Sequence, residues 1–246
     1  MAVRNIKLVI QYDGTNYHGW QEQPEADTIQ GRLTAAIEAL TGQRVRVNGS
    51  SRTDAGVHAL GQAANVRIDT AVPTANFATA LNRLLPDDIA VVEACDVPEA
   101  FDAISDAVSK RYRYTIDTGP CRSVMQIRFC WHRPGRLDIE AMRQAAGRLV
   151  GTNDFKSFAS AADTRESSVR TISDFVVEAD GPQIHIEVEA DGFLYNMVRN
   201  LVGTLVEVGR GRWSPDRVSQ VLAARDRAAA GPIAPPAGLC LLWIRY

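Results

Sequence analysis

The sequence predicts an α+β protein of two ferredoxin-like (RRM-like) halves, with antiparallel sheets joined side by side. Two observations predict it. Short stretches with strand-like patterning alternate with longer ones whose apolar residues recur every three or four positions, and Gly, Pro and Asp separate many of them. Over the first 95 residues their order is β-α-β-β-α-β, the arrangement that places two helices on one face of an antiparallel sheet. The rest of the chain runs much the same way. A division near residue 105 gives an N-terminal subdomain 1–105 and a C-terminal subdomain 106–246.

Taken in order, Ile6–Asp13 reads as a strand ended by the turn signal Asp13-Gly14. Asn16–Gln21 is an aromatic-rich loop. Asp27 or Thr28 caps a helix whose Ile29, Leu33, Ile37 and Leu40 share one face, and Gly42 stops it. Strands are expected near 44–49 and 61–68, a helix near 74–85 ending before Pro86, and a strand near 89–95. In the second half, strands near 111–117 and 126–132 precede a helix near 138–150 carrying Ile139, Met142, Ala146 and Leu149. Strands near 172–179 and 183–190, helices near 193–207 and 215–225, and a strand near 239–245 complete it. The stretches 160–168 and 228–238 are expected to be mobile loops.

An apolar fraction of 46% and a charged fraction of 23% are those of an ordinary globular protein. No signal-peptide pattern opens the chain and no apolar run approaches the ~18 residues of a membrane span. Cys95, Cys121, Cys130 and Cys240 are scattered, with no C-x-x-C pair, so neither a disulfide framework nor a zinc site is expected. A cytoplasmic protein is the expectation. The net charge of −2 argues against an indiscriminate nucleic-acid binder, but charge is unevenly spread. Residues 93–106 hold acids and no Lys or Arg, whereas 110–136 hold Lys110, Arg111, Arg113, Arg122, Arg128, Arg133 and Arg136 against Asp117. Tyr112, Tyr114, Phe129 and Trp131 are interleaved with these bases, a mixture suited to holding phosphates and stacking bases. Two ordinary strands with basic outer faces would give the same pattern.

The stretch Ser50-Ser51-Arg52-Thr53-Asp54-Ala55-Gly56-Val57-His58-Ala59 is too polar for a core strand and lacks helical periodicity. It reads as a loop between two strands. Ala55 and Gly56 leave Asp54 approachable, and Gly56 permits a positive φ. A surface turn capped by Ser, Thr and Asp is the plainer alternative. In the helix around 193–206, Arg199 borders a wide apolar arc. A guanidinium there needs a carboxylate partner or snorkels to water along its own stem; the helical wheel by itself leans to snorkelling. Gly209-Arg210-Gly211-Arg212 reads as a helix C-cap rather than a phosphate loop.

Several segments together resemble the tRNA pseudouridine synthase A (TruA) family nearly end to end. They are Tyr12-Asp13-Gly14, Tyr17-x-Gly19-Trp20-Gln21, Thr28-x-Gln30-Gly31 and Arg52-Thr53-Asp54-Ala55-Gly56-Val57-His58, followed by Lys110-Arg111-Tyr112-Arg113-Tyr114, Asp154-Phe155-x-Ser157-Phe158, Arg170-Thr171-Ile172 and Met197-Val198-Arg199-Asn200-x-Val202-Gly203. The resemblance implies the pseudouridine synthase fold and an isomerase acting on uridines 38, 39 and 40 of the tRNA anticodon stem-loop. It implies no metal or organic cofactor, and a homodimer whose basic cleft takes tRNA across both subunits. It makes Asp54 the catalytic aspartate, Arg199 the partner of its carboxylate, Tyr112 the residue that meets the target base, and Arg52 a substrate-holding arginine. Arg111 and Arg113 are the expected phosphate contacts.

The residue types suit this chemistry. A carboxylate serves as nucleophile at C1′ or as a base yielding a glycal, and a guanidinium at hydrogen-bond distance keeps it ionised. This physical case for Arg199 displaces the snorkelling reading. Tyr112 offers a ring for stacking and a phenol for proton removal from C5; with an ordinary pKa of ~10, stacking is the safer role. Ser51 stands where many members have Gly, and Asn196 where His is common. His58 is expected to order the loop rather than to act in catalysis. Three other readings are open to test. A non-catalytic tRNA-binding protein of two RRM-like halves lacks the RNP1 aromatics. A glycosidase needs a second carboxylate near Asp54. A metal site on Asp54 and His58 falls short of three ligands.

Overall fold

The computed structural model describes residues 3–246. They form two compact units: one runs to Val108 and takes in Leu241–Tyr246, and the other is Ser109–Cys240. The chain therefore changes unit a few residues beyond the expected point near 105, and its last six residues belong with the first half.

In the first unit β1 (Arg4–Tyr12), α1 (Ile29–Thr41), β2 (Asn48–Gly49), β3 (His58–Ile68), α2 (Thr74–Asn82) and β4 (Ile89–Val97) follow in the expected order. β1 is central and antiparallel to both β3 and β4, with Leu8 opposite Ala64 on one side and Ala94 on the other. The chain's final strand lies beside β3. Period-two alternation puts Ile6, Leu8 and Ile10 of β1 in the core, and 3.6-residue periodicity does the same for Ile29, Leu33 and Ile37 of α1. α1 starts where Thr28 Oγ1 accepts the Gly31 N–H and stops at Gly42, whose φ of 74° is the left-handed cap. A polar network is also buried here. Asn65 Nδ2 donates to Asn5 Oδ1 at 2.9 Å, and Ala103 N–H donates to Asn65 Oδ1 at 3.0 Å. Both asparagines are buried on strands, and these bonds offset their desolvation.

The expected strand near 44–49 shrinks to Asn48–Gly49. The Val47 carbonyl accepts from the Gln30 side chain at 2.7 Å, so a helix side chain takes the place of a strand neighbour.

The second unit holds β5 (Ser109–Asp117), β6 (Trp131–His132), α3 (Ile139–Gly147), β7 (Gly151–Asp154), β8 (Val169–Asp180), β9 (Gln183–Ala190), α4 (Met197–Gly209) and α5 (Arg217–Ala224). Its strands are ordered β5-β9-β8-β7 and each adjacent pair is antiparallel. The final strand, β10 (Leu239–Arg245), begins here and passes into the first unit. The core joins Tyr114, Ile116, Ile186 and Val188 of the sheet to Met142, Ala145 and Ala146 of α3 and Leu201, Val202 and Leu205 of α4, all buried.

Three expectations change here. The strand near 126–132 is realised only at Trp131–His132, parallel to β5; residues before it close as turns, with Gln126 N–H on Ser123 O and Phe129 N–H on Gln126 O. α4 starts at Met197 because Asn196 has a φ of 62°, which breaks the helix on its N-terminal side. The stretches 160–168 and 228–238 are tied down rather than loose. Asp163 accepts the Tyr195 N–H at 2.7 Å and pairs with Arg165. Gly231 donates to Thr204 Oγ1 at 3.0 Å, and Pro235 O accepts from Tyr114 Oη at 2.7 Å.

Among the described residues no helix is long and apolar enough to cross a membrane, and no group of three or more His, Cys, Asp or Glu side chains is placed to hold a metal. None of the four cysteines is in a disulfide.

Candidate active site

The expected site residues fall in both units: Arg52 and Asp54 in the first, and Tyr112, Arg111, Arg113 and Arg199 in the second.

Asp54 occupies position i of a turn closed by the Val57 N–H on its carbonyl at 3.1 Å. Gly56 stands at i+2 with a φ of 76°, the signature of a type II turn, which explains the Ala-Gly pair. Asp54 is half-buried and Arg52 is exposed.

Around this turn the chain is fixed from several sides. The Thr53 carbonyl accepts the Trp20 N–H at 3.0 Å, and Thr53 Oγ1 is 2.7 Å from Tyr12 Oη. The Gln62 amide, fully buried, bonds both backbone groups of Ser51: its Oε1 accepts the N–H at 3.2 Å and its Nε2 donates to the carbonyl at 2.6 Å. His58 Nδ1 accepts the Gly14 N–H at 3.1 Å, so His58 ties the far end of the loop to the end of β1. Gly19, with a φ of 91°, lies so close that a Cβ there would be 2.6 Å from the Thr53 carbonyl oxygen. A Cβ on Gly14 would collide with the Val57 carbonyl, and one on Gly49 with the Trp20 ring. α1 joins in: Ile29 N–H donates to Gly19 O and Gln30 N–H to Trp20 O, while Gln30 Oε1 accepts the Glu22 N–H at 2.8 Å. The motif residues of the first half therefore share one physical task, holding the backbone around Asp54.

In the second unit Tyr112 lies on β5 opposite Val188, is buried, and makes an edge-to-face contact with the Phe193 ring, with centroids 5.1 Å apart. Arg199 sits in the first turn of α4. Its Nε donates to Ala234 O at 2.8 Å and its Nη1 to Asn196 Oδ1 at 3.0 Å. The guanidinium is therefore oriented by two protein acceptors and is only half-buried. The left-handed Asn196 has a use here, since its amide oxygen is aimed at Arg199. Burial holds the Tyr114 phenol well above its ordinary pKa, and it acts here as a donor to Pro235 O.

The cationic stripe expected from residues 110–136 has its charge answered at Arg111 and Arg113. Arg111 donates from Nε to Glu187 at 2.7 Å and from Nη1 to Asp174 at 2.8 Å and Glu189 at 3.3 Å. Arg113 Nε donates to Glu187 at 2.7 Å. Arg111 is 18% exposed, so these are ion pairs of the sheet face, with three carboxylates for two guanidiniums. Arg52, by contrast, has an exposed side chain and pairs with no carboxylate among the described residues.

The family model described as tRNA pseudouridine synthase matches residues 8–104 and 145–246. A tRNA pseudouridine synthase A of Thermoanaerobacter sp. (strain X514) is 47% identical over 244 residues, covering 99% of this chain and all of that protein. Its counterpart in Acetivibrio thermocellus is 46% identical over the same span, with equal coverage. Among solved structures, an archaeal box H/ACA sRNP Nop10-Cbf5 complex matches 82% of this chain and 44% of that one, at 12% identity and a TM-score of 0.36, a level from which nothing is inferred. On the family match and these full-length identities, the chain belongs to the tRNA pseudouridine synthase family.

Proposed function

We propose that this protein converts uridine to pseudouridine at positions 38, 39 and 40 of the tRNA anticodon stem-loop, acting as a homodimer in the cytoplasm. In this reading Asp54 attacks C1′ or removes a proton to give a glycal, Arg199 holds its carboxylate ionised, Tyr112 meets the uracil, and Arg52 holds the RNA. The observation that carries it is the fixation of the Asp54 turn. An acid in an ordinary surface turn does not need Gly14, Gly19 and Gly49 packed against backbone or ring, nor a buried glutamine bonding both backbone groups of Ser51.

The reaction breaks N1–C1′, turns the uracil and joins C5 to C1′; N1 gains a proton and C5 loses one. The base must leave its stack to be reached, at a cost of a few kcal/mol, which a loop or stem end reduces. The edge-to-face contact with Phe193 holds the Tyr112 ring in one orientation for stacking. Arg199 is oriented by Ala234 and Asn196, and a planar guanidinium held in this way suits a directed pair with a carboxylate. Arg111 and Arg113 are assigned to the sheet's ion-pair network rather than to phosphate.

The test is release of tritium from tRNA labelled at uridine C5. Transcripts with cytidine at 38, 39 and 40 are expected to release none. Undiminished release from those transcripts would place the modified uridine elsewhere.

A further inference from the structure

A second concentration of charge lies in the second unit, at the end of α4 remote from Arg199. Arg133 follows β6, where its N–H donates to Asp117 O at 2.8 Å. Five residues on, Asp138 N–H donates to Gly209 O at 2.8 Å, which ties the 133–138 segment to the end of α4. There the helix closes in a Schellman turn: Gly211, with a φ of 69°, donates to Val208 O and Arg212 to Glu207 O. The reversal lets Arg210 and Arg212 both reach Glu207, each at 3.1 Å, one on each carboxylate oxygen. Both oxygens of Glu207 are thereby paired. Arg133 brings a third guanidinium, and its Nη1 is fully buried with no hydrogen-bond partner among the described residues. Burial holds the Arg133 guanidinium below its ordinary value, with the charges of Arg210 and Arg212 adding to this and Glu207 opposing it. Two cations thus share one carboxylate, a third lies within electrostatic reach of all of them, and a buried donor is left unsatisfied. The charge imbalance and the unsatisfied donor are costly in the free protein and both are relieved by an anion with several acceptor oxygens.

We propose that Arg133, Arg210 and Arg212 form a subsite for a phosphodiester of the tRNA backbone. The proposal rests on tRNA being the substrate. Arg199 and Arg210 are eleven residues apart on one helix, roughly 16 Å at 1.5 Å per residue. The phosphate held here therefore belongs to a nucleotide other than the one whose base reacts, and the three arginines are positioning residues.

The experiment compares wild type with Arg133→Gln and with Arg133→Gln/Arg212→Gln. It reads tRNA affinity across a salt series, steady-state kinetics by tritium release, and melting temperature with and without inorganic phosphate. The double variant is expected to bind tRNA about tenfold more weakly at moderate salt, and its log–log salt slope is expected to shrink by about 1–2. The kinetic loss is expected in KM rather than kcat. Phosphate is expected to raise the melting temperature of the wild type more than that of Arg133→Gln, and without phosphate Arg133→Gln is expected to melt no lower than wild type. An unchanged salt slope with a wild type that turns over would overturn the subsite, as would equal stabilisation of both proteins by phosphate. A wild type that releases no tritium, with the slope still reduced in the variant, would instead overturn the proposed reaction and leave the subsite standing.

Discussion

Gly19→Ala tests whether the packing around the Asp54 turn governs turnover, and Gly42→Ala is its built-in control. Both glycines have positive φ, 91° and 74°, so alanine costs about 1–2 kcal/mol of backbone strain at either site. They differ in surroundings. A Cβ at Gly42 meets nothing within 4 Å, whereas one at Gly19 is 2.6 Å from Thr53 O and 3.1 Å from both Ala55 N and the Asp54 carbonyl carbon. Opening the first contact to the 3.3–3.6 Å of an ordinary C–H···O approach requires a shift of about 0.7–1 Å. The atom that must move also accepts the Trp20 N–H, so about 1 kcal/mol of hydrogen bonding is lost as well. A displacement of about 1 Å at a reacting group costs on the order of 10²-fold in rate. At about 2–4 °C per kcal/mol for a chain of this length, Gly42→Ala is expected to lower the melting temperature by about 4 °C with wild-type kcat. Gly19→Ala is expected to lose about 10 °C and about 10²-fold in single-turnover rate at a temperature where both are folded. A Gly19→Ala protein that turns over as fast as Gly42→Ala would refute the reasoning.

Arg199→Lys is expected to lower kcat about 10²-fold with tRNA affinity within a few fold, because a point charge cannot serve Ala234, Asn196 and a carboxylate together; a wild-type rate would remove the pairing. Arg111→Leu leaves Glu187, Glu189 and Asp174 short of a cation and is expected to cost about 3 kcal/mol in urea unfolding at neutral pH, with the salt slope of tRNA binding unchanged. Burial alone would raise the Glu187 pKa, but hydrogen bonds from Arg111 and Arg113 hold it below the usual glutamate range. The stability it contributes is therefore present above the unfolded value of ~4.3 and is lost as pH falls through the lower folded value. The gap between wild type and Arg111→Leu should close on acidification, and a gap independent of pH would contradict the assignment. Burial, with Arg165 nearby, brings the Lys110 amine down to about 8. The unfolded amine keeps its proton to ~10.4, so the unfolded state binds more protons in between and stability rises with pH from about 8 to 9.5. Lys110→Met should flatten that rise, and an identical pH profile would count against it.

The sequence was most legible where local periodicity and caps agree. α1 runs between Thr28 and Gly42 as expected, and the Gly209–Arg212 run is the helix cap that its glycines suggested. Legibility failed where a distant residue took over a backbone group. Val45 and Val47 look like a strand, yet the Val47 carbonyl belongs to Gln30. The basic stripe misled for a similar reason. A window over 110–136 contains the arginines but not Glu187, Glu189 and Asp174, which strand pairing brings to Arg111 from more than sixty residues away. Asp54 stood out by its neighbours in sequence, but Gln62, which fixes the peptide at Ser51, lay unnoticed in an ordinary strand pattern. Its signal was a polar residue among the small residues Gly61, Ala63 and Ala64, at a position that proves fully buried. Asn196 was noted only as a departure from the family's histidine, and its left-handed backbone and its bond to Arg199 required the fold.

The central claim is that the Asp54 carboxylate performs the reaction on a uridine of tRNA. Its most direct test is tritium release from tRNA labelled at uridine C5, measured for wild type and Asp54→Asn side by side, with tRNA affinity recorded for both. Wild type is expected to release label and Asp54→Asn none, at affinities within a few fold of each other. Release by Asp54→Asn at the wild-type rate, or tRNA binding without release by either protein, would contradict the account.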